Sequence, residues 1–205
     1  MIVATTIGDG LRIDRWIEDA RRIGDEIVIT MDVDRFALKE CTIKNVTLIP
    51  YKLKGIAVVG FNTKFKHRTP HCGLSIFVGL KKALEYFVNS DHDKMIFLDS
   101  DVFINKDHSM FRRKAEMHEV AKIVIPTVPR DYYEDLTKIS DEERPKYLFR
   151  YKVYFDSSTN FVCSKTIGKL IYDEISEIQD PGKPPDLFLW DVISKFVKKC
   201  PQNKT

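Results

Sequence analysis

The chain has 205 residues, 43% hydrophobic and 31% charged, with a formal net charge of +3. That length and apolar content suit one α/β domain with a sizeable core and argue against a disordered chain. The basic excess is small, which argues against a nucleic-acid binder. Cys41, Cys72, Cys163 and Cys200 are widely spread and form no C-x-x-C pair. The expectation is a reducing compartment, taken as the cytoplasm, with no disulfide framework and no zinc ribbon.

In chain order, Ile2–Gly8 is a β-branched run closed by the turn signal Gly8-Asp9-Gly10. It has neither the basic start nor the cleavage site of a signal peptide and is expected to be the first strand. Leu11–Ile23 carries apolar residues at 13, 16, 17, 20 and 23, a helical spacing that Gly24 stops. Glu26–Met31 is a second strand, apolar enough to be buried on both faces. Val46–Pro50 is a third strand, and Ile56–Gly60 a short fourth or a buried turn.

A basic loop with Lys64, Lys66, His67 and Arg68 leads to a helix over Gly73–Val88. Met95–Leu98 is a strand that runs into Asp99-Ser100-Asp101. Arg112-Arg113-Lys114 reads as the solvated face of a helix. Lys122–Val128, Tyr151–Phe155 and Phe161–Cys163 are further strand candidates, Ile167–Ile178 a helix, residues 180–185 a loop and Leu187–Val197 the last helix. No apolar run reaches the ~20 residues that span a bilayer. The basic tail Lys195-Phe196-Val197-Lys198-Lys199 suits contact with an anionic membrane surface, with a solvated helix end as the default reading.

Strands alternating with helices predict an open, mainly parallel sheet flanked by helices. Such sheets bind ligands beyond the carboxyl ends of their strands. The residues there are Asp9, then Asp32 and Asp34, then Asp99 and Asp101.

The chain holds 19 aspartates and three D-x-D pairs, where chance alone supplies about two. Context separates them. Asp91 and Asp93 sit in a polar turn and read as solvated. Asp99 and Asp101 are embedded between Met95-Ile96-Phe97-Leu98 and Val102-Phe103-Ile104. Two carboxylates in apolar surroundings are costly to desolvate unpaired, and a hard divalent cation removes that cost. The alternative is a pair of strand-end aspartates capping a turn.

MIFLDSDVFI at 95–104, preceded by the basic loop and the helix Gly73–Val88, resembles the central segment of GT-A fold glycosyltransferases. The element order resembles that family over residues 1–130. The resemblance implies a single domain, with residues 1–130 binding a nucleotide-diphosphate sugar and 131–205 binding an acceptor, whether glycan, protein or lipid. It implies Mn²⁺ or Mg²⁺ on Asp101, with Asp99 on the metal or the ribose. Thr5, Thr6 and Ile7 match the strand end that lines the nucleotide pocket. Asp32 and Asp34 match the strand end where an aspartate meets the base. Lys66 or Arg68 matches the basic position that touches the nucleotide.

In inverting members a late carboxylate is the general base. Asp186 matches it, with Asp191 and Asp156 in reserve; Asp186 also suits a helix N-cap, and Trp190 a place lining the sugar pocket or, as the default, a core position. Two features depart from the family. No histidine follows His118, so a further metal ligand has to be a carboxylate, a water or absent, and the chain is short for the fold.

His67, His71 and Cys72 are a weak zinc set, because Pro70 interrupts a helix between the histidines. No P-loop, G-x-G-x-x-G or G-x-S-x-G occurs. The rival readings are a sugar nucleotidyltransferase, for which Gly8-Asp9-Gly10-Leu11-Arg12 is a poor phosphate loop, and a non-catalytic nucleotide-binding module. A phosphatase-like reading is weaker still, since those enzymes place the pair after the first strand.

Overall fold

A computed structural model describes residues 1–7, 13–33, 45–53, 70–100, 108–123, 125–126, 154–155, 160–179 and 185–199. The chain opens with β1 (Ile2–Thr6), α1 (Ile13–Ala20), β2 (Glu26–Asp32) and β3 (Val46–Tyr51). It continues with α2 (Pro70–Asn89), β4 (Lys94–Phe97), α3 (His108–Met117) and β5 (Val120–Lys122). Then come β6 (Ile125–Pro126), β7 (Tyr154–Phe155), β8 (Phe161–Ser164), α4 (Lys165–Ile175) and α5 (Pro185–Lys199).

Six strands form one sheet in the order β3-β2-β1-β4-β8-β5. β3, β2, β1 and β4 are mutually parallel, with Ile2 beside both Glu26 and Met95. β8 lies antiparallel between β4 and β5. The expectation of an open, mainly parallel α/β sheet is thereby met. β6 and β7 pair with each other in a separate two-stranded ribbon.

Strand parity divides the core into two layers. Ile2, Ala4, Met95, Phe97, Phe161 and Cys163 face one side and pack with Phe77, Leu80, Leu84 and Phe87 of α2, Ile171 of α4 and Leu189 of α5. Val3, Ile27, Ile29, Ile96 and Val162 face the other side and pack with Ile13, Trp16 and Ile17 of α1 and Phe111 of α3. In β2 the residues from Ile27 to Asp32 are all buried, as a strand covered on both faces requires. The apolar positions read as one helical face in the first segment, Ile13, Trp16, Ile17 and Ala20, are the ones α1 buries. Among the described residues no helix is long and apolar enough to cross a membrane.

Two local expectations need correction. The run Lys122–Val128 is not one strand. Its start belongs to β5 (Val120–Lys122) on the main sheet, and Ile125–Pro126 pairs instead with Tyr154–Phe155 in the ribbon. A β-branched run has no means of signalling that its two halves serve different sheets. Asp186 is not the residue before the last helix. α5 begins at Pro185, whose fixed φ and missing N–H suit a first helical position. Pro70 likewise opens α2 rather than preceding it. The reading of Ile56–Gly60 lies outside the described residues.

Candidate functional site

The sheet reverses its winding between β1 and β4. From β1 the chain moves outward to β2 and β3, then α2 carries it back past β1 to β4. The carboxyl ends of β1 and β4 therefore flank a topological switch point, the place where open α/β sheets hold ligands. Thr5, Thr6 and Ile7 end the first of these strands, and Leu98 and Asp99 follow the second. The Leu98 N–H donates to the Ala4 carbonyl at 2.9 Å and the Ile7 N–H to the Thr30 carbonyl at 3.0 Å, so the three strand ends are tied at one level.

α2 connects the carboxyl end of β3 to the amino end of β4, so its first turn sits at this same edge. Tyr51, the last residue of β3, fixes it there. The Tyr51 hydroxyl reaches the Ser75 carbonyl at 2.9 Å and the Ser75 hydroxyl at 2.7 Å. The helix lies unusually close to the sheet at Gly79. A Cβ on Gly79 would stand 2.2 Å from Thr6 Oγ1 and 2.6 Å from Thr30 Oγ1. Glycine alone lets the two hydroxyls, 2.8 Å apart, pair beneath the helix. The positive end of the α2 dipole is thus brought to the carboxyl edge. α3 follows β4, and its first residue, His108, lies 3.5 Å from Asp19 in the last turn of α1.

Asp99 is half-buried, and Asn160 is among the residues that hold it. The Asp99 backbone N–H donates to Asn160 Oδ1 at 2.7 Å, and Asn160 Nδ2 lies 3.4 Å from Asp99 Oδ2. Asn160 is itself 1% exposed, and its carbonyl accepts the Ile123 N–H at 2.8 Å. It stands at the head of β8, which enters the sheet antiparallel, so its amino end meets the carboxyl end of β4.

Asp32, at the end of β2, is buried to 1% exposure and shares the strand parity of Thr30, on the α2 side. Thr6 is occupied with Thr30. Thr5 is fully buried, and among the described residues its hydroxyl has no hydrogen-bond partner. Ile7 belongs to the core beside α1. Among the described residues the edge therefore carries two carboxylates, Asp32 ending β2 and Asp99 following β4, on either side of β1.

Asp34, Lys66, Arg68, Asp101 and Asp156 lie outside the described residues, as do Asp9 and Lys64. Asp186 is in the first turn of α5, the helix whose Phe188 meets Phe77 of α2 edge-on at 5.7 Å. Asp191, further along α5, is exposed. Asp91 and Asp93 are exposed in the turn between α2 and β4, at the opposite edge, as their polar context predicts. Among the described residues no three His, Cys, Asp or Glu side chains converge as a cation cage. One member of each strand-end aspartate pair, Asp34 and Asp101, is outside that set. The donors at the edge are hard carboxylate oxygens, which suit Mg²⁺ or Mn²⁺ rather than a thiolate-seeking metal.

Sequence reasoning missed Asn160, Tyr51, Ser75 and Gly79. Asn160 carried a faint signal, a lone amide placed directly before the apolar run Phe161-Val162-Cys163. The other three are legible only once α2 is laid on the sheet. Compared with protein-family models the chain matches none, and no curated protein is significantly similar to it.

Proposed function

We propose that the chain is a metal-dependent GT-A glycosyltransferase that moves a sugar from a nucleotide-diphosphate sugar to an acceptor hydroxyl. The observation that carries the reading is the pair of strand-end carboxylates, Asp32 and Asp99, on the two strands flanking β1 at the switch point. Beside them the amino end of α2 favours negative charge. A carboxylate for a cation beside a helix amino end for phosphate oxygens is the combination that a metal diphosphate needs.

In this reading Asp101 and Asp99 hold Mn²⁺ or Mg²⁺. The ion, when bound, supplies charge neutralisation at the diphosphate leaving group. Asp32 and Asp34 meet the base, and Lys66 or Arg68 adds a charge-assisted contact to the nucleotide. Thr5 contributes a buried hydroxyl at the end of β1. Asp186 accepts the acceptor proton if the reaction inverts configuration, with Asp191 and Asp156 as the remaining carboxylates.

The test is a thermal-shift panel of nucleoside diphosphates and nucleotide sugars, with and without Mn²⁺, on the wild type and Asp101→Ala. A ligand at a hundredfold excess over its Kd stabilises the native state by ~2.7 kcal/mol. A rise in Tm that requires Mn²⁺ and disappears in Asp101→Ala supports the reading and names the nucleotide. A well-folded protein that no nucleotide stabilises rejects it.

A further inference from the structure

An aspartate carboxylate turns readily about its last bond, because that torsion is broad rather than three-fold. A cation ligand has to be held against that freedom. Asn160 reaches the carboxylate with one end of its amide and fixes the Asp99 backbone with the other. Its Oδ1 accepts the Asp99 backbone N–H at 2.7 Å, and its Nδ2 reaches the Asp99 carboxylate at 3.4 Å. An amide has the needed acceptor and donor without charge. A second carboxylate could not donate, and a lysine would compete with a metal.

The amide is itself immobilised by the sheet. Phe161, the next residue, is paired to Phe97 of β4 on one side and Lys122 of β5 on the other. The Asn160 carbonyl takes the Ile123 N–H. At 1% exposure the side chain has no access to bulk water as an alternative partner. Three strands thus set the position of one amide, and that amide bonds both the backbone and the carboxylate of Asp99.

We infer that Asn160 is a positioning residue that orients the Asp99 carboxylate toward a divalent cation. The inference rests on the donor-site reading above and extends it from the ligands to the residue behind them. Partners of metal ligands act in this way, fixing ligand orientation through a second hydrogen bond.

The experiment measures Mn²⁺ affinity directly, from the loss of the free aqua-ion signal in electron paramagnetic resonance. It compares the wild type, Asn160→Ala, Asn160→Ser and Ser164→Ala, alone and with each nucleoside diphosphate. Ser164 ends the same strand and caps α4 by accepting the Ile167 N–H, remote from Asp99. Its variant therefore reports general destabilisation of β8, and Asn160→Ser keeps a hydrogen-bonding group should Asn160→Ala fail to fold.

The expected result is Mn²⁺ binding weakened about 10- to 100-fold by either Asn160 variant, with Ser164→Ala at the wild-type value. Unchanged affinity in the Asn160 variants overturns the inference and leaves the donor-site reading standing. An equal loss in Ser164→Ala overturns it too, by making the effect one of stability. A folded wild type that binds no Mn²⁺ under any of these conditions removes both.

Discussion

Glu26 shows how single residues are satisfied away from the candidate site. It begins β2 at the amino edge of the sheet, where Thr47 Oγ1 donates to its carboxylate at 2.7 Å and Tyr86 at 2.6 Å, and His92 Nε2 lies at 3.0 Å. Desolvation alone raises its pKa, yet the hydrogen bonds from Tyr86, Thr47 and His92 outweigh that and hold it below the ordinary value. The same contact raises the Tyr86 hydroxyl. Because the folded pKa is depressed, the stabilisation is fully present above the unfolded value of about 4.3 and is lost as pH falls through the folded value. Glu26→Gln should therefore cost about 1–3 kcal/mol at neutral pH. Melts repeated down to pH 3 should show that difference shrinking as the wild-type carboxyl protonates; a constant difference contradicts the assignment. Cys163 offers a second check at this scale. Burial pushes its thiol far above the ordinary thiol range, and only the thiolate is nucleophilic. Alkylation of the native protein at pH 8, followed by peptide mass analysis, should leave Cys163 unlabelled, whereas the denatured chain labels fully.

At the scale of elements, the decisive contact is α2 against the ends of β1 and β2. The Gly79 position admits no Cβ without moving Thr6, Thr30 or the helix. Gly79→Ala should cost about 1–3 kcal/mol, the range for overpacking a tight interior, although alanine is the better helix former. The check is a denaturant midpoint that moves down while helicity by circular dichroism is retained. If the variant is as stable as the wild type, α2 sits further from the sheet than described. α4 is seated in a similar way, since a Cβ on Gly168 would stand 2.8 Å from the Phe87 ring of α2. Surface pairs such as Lys169 with Asp173, both exposed, contribute little beside these packing constraints.

For the molecule as a whole, the last third of the chain is built into the first. β8 fills the place between β4 and β5, and α4 and α5 share a core layer with α2. Leu189, Val192 and Ile193 of α5 are buried in that layer with Phe77 and Phe87. Leu189→Ala should cost about 2–5 kcal/mol, since it leaves a cavity in the interior. The loss should appear in one transition, with fluorescence and circular dichroism coinciding. Two separated transitions would mean that α5 and its neighbours unfold independently of the sheet.

Periodicity alone located most elements, because burying one helical face or a whole strand demands a regular apolar pattern. That is why Ile13–Ala20, Glu26–Asp32 and the long helix after residue 70 were legible, and with them an open parallel sheet whose strands end in aspartates. A helix at 108–117 was visible only as a basic cluster, since it buries just Phe111 and Ala115 among the described residues. Strand order, the antiparallel entry of β8 and the division of 122–126 between two sheets carry no local signal. They depend on which distant backbone supplies the hydrogen bonds. Asp99 could be singled out from sequence, since a carboxylate at the end of an apolar strand is costly without a partner. That partner, Asn160, lies 61 residues away. Only the sheet, by running β8 back against β4, brings its amide to the aspartate.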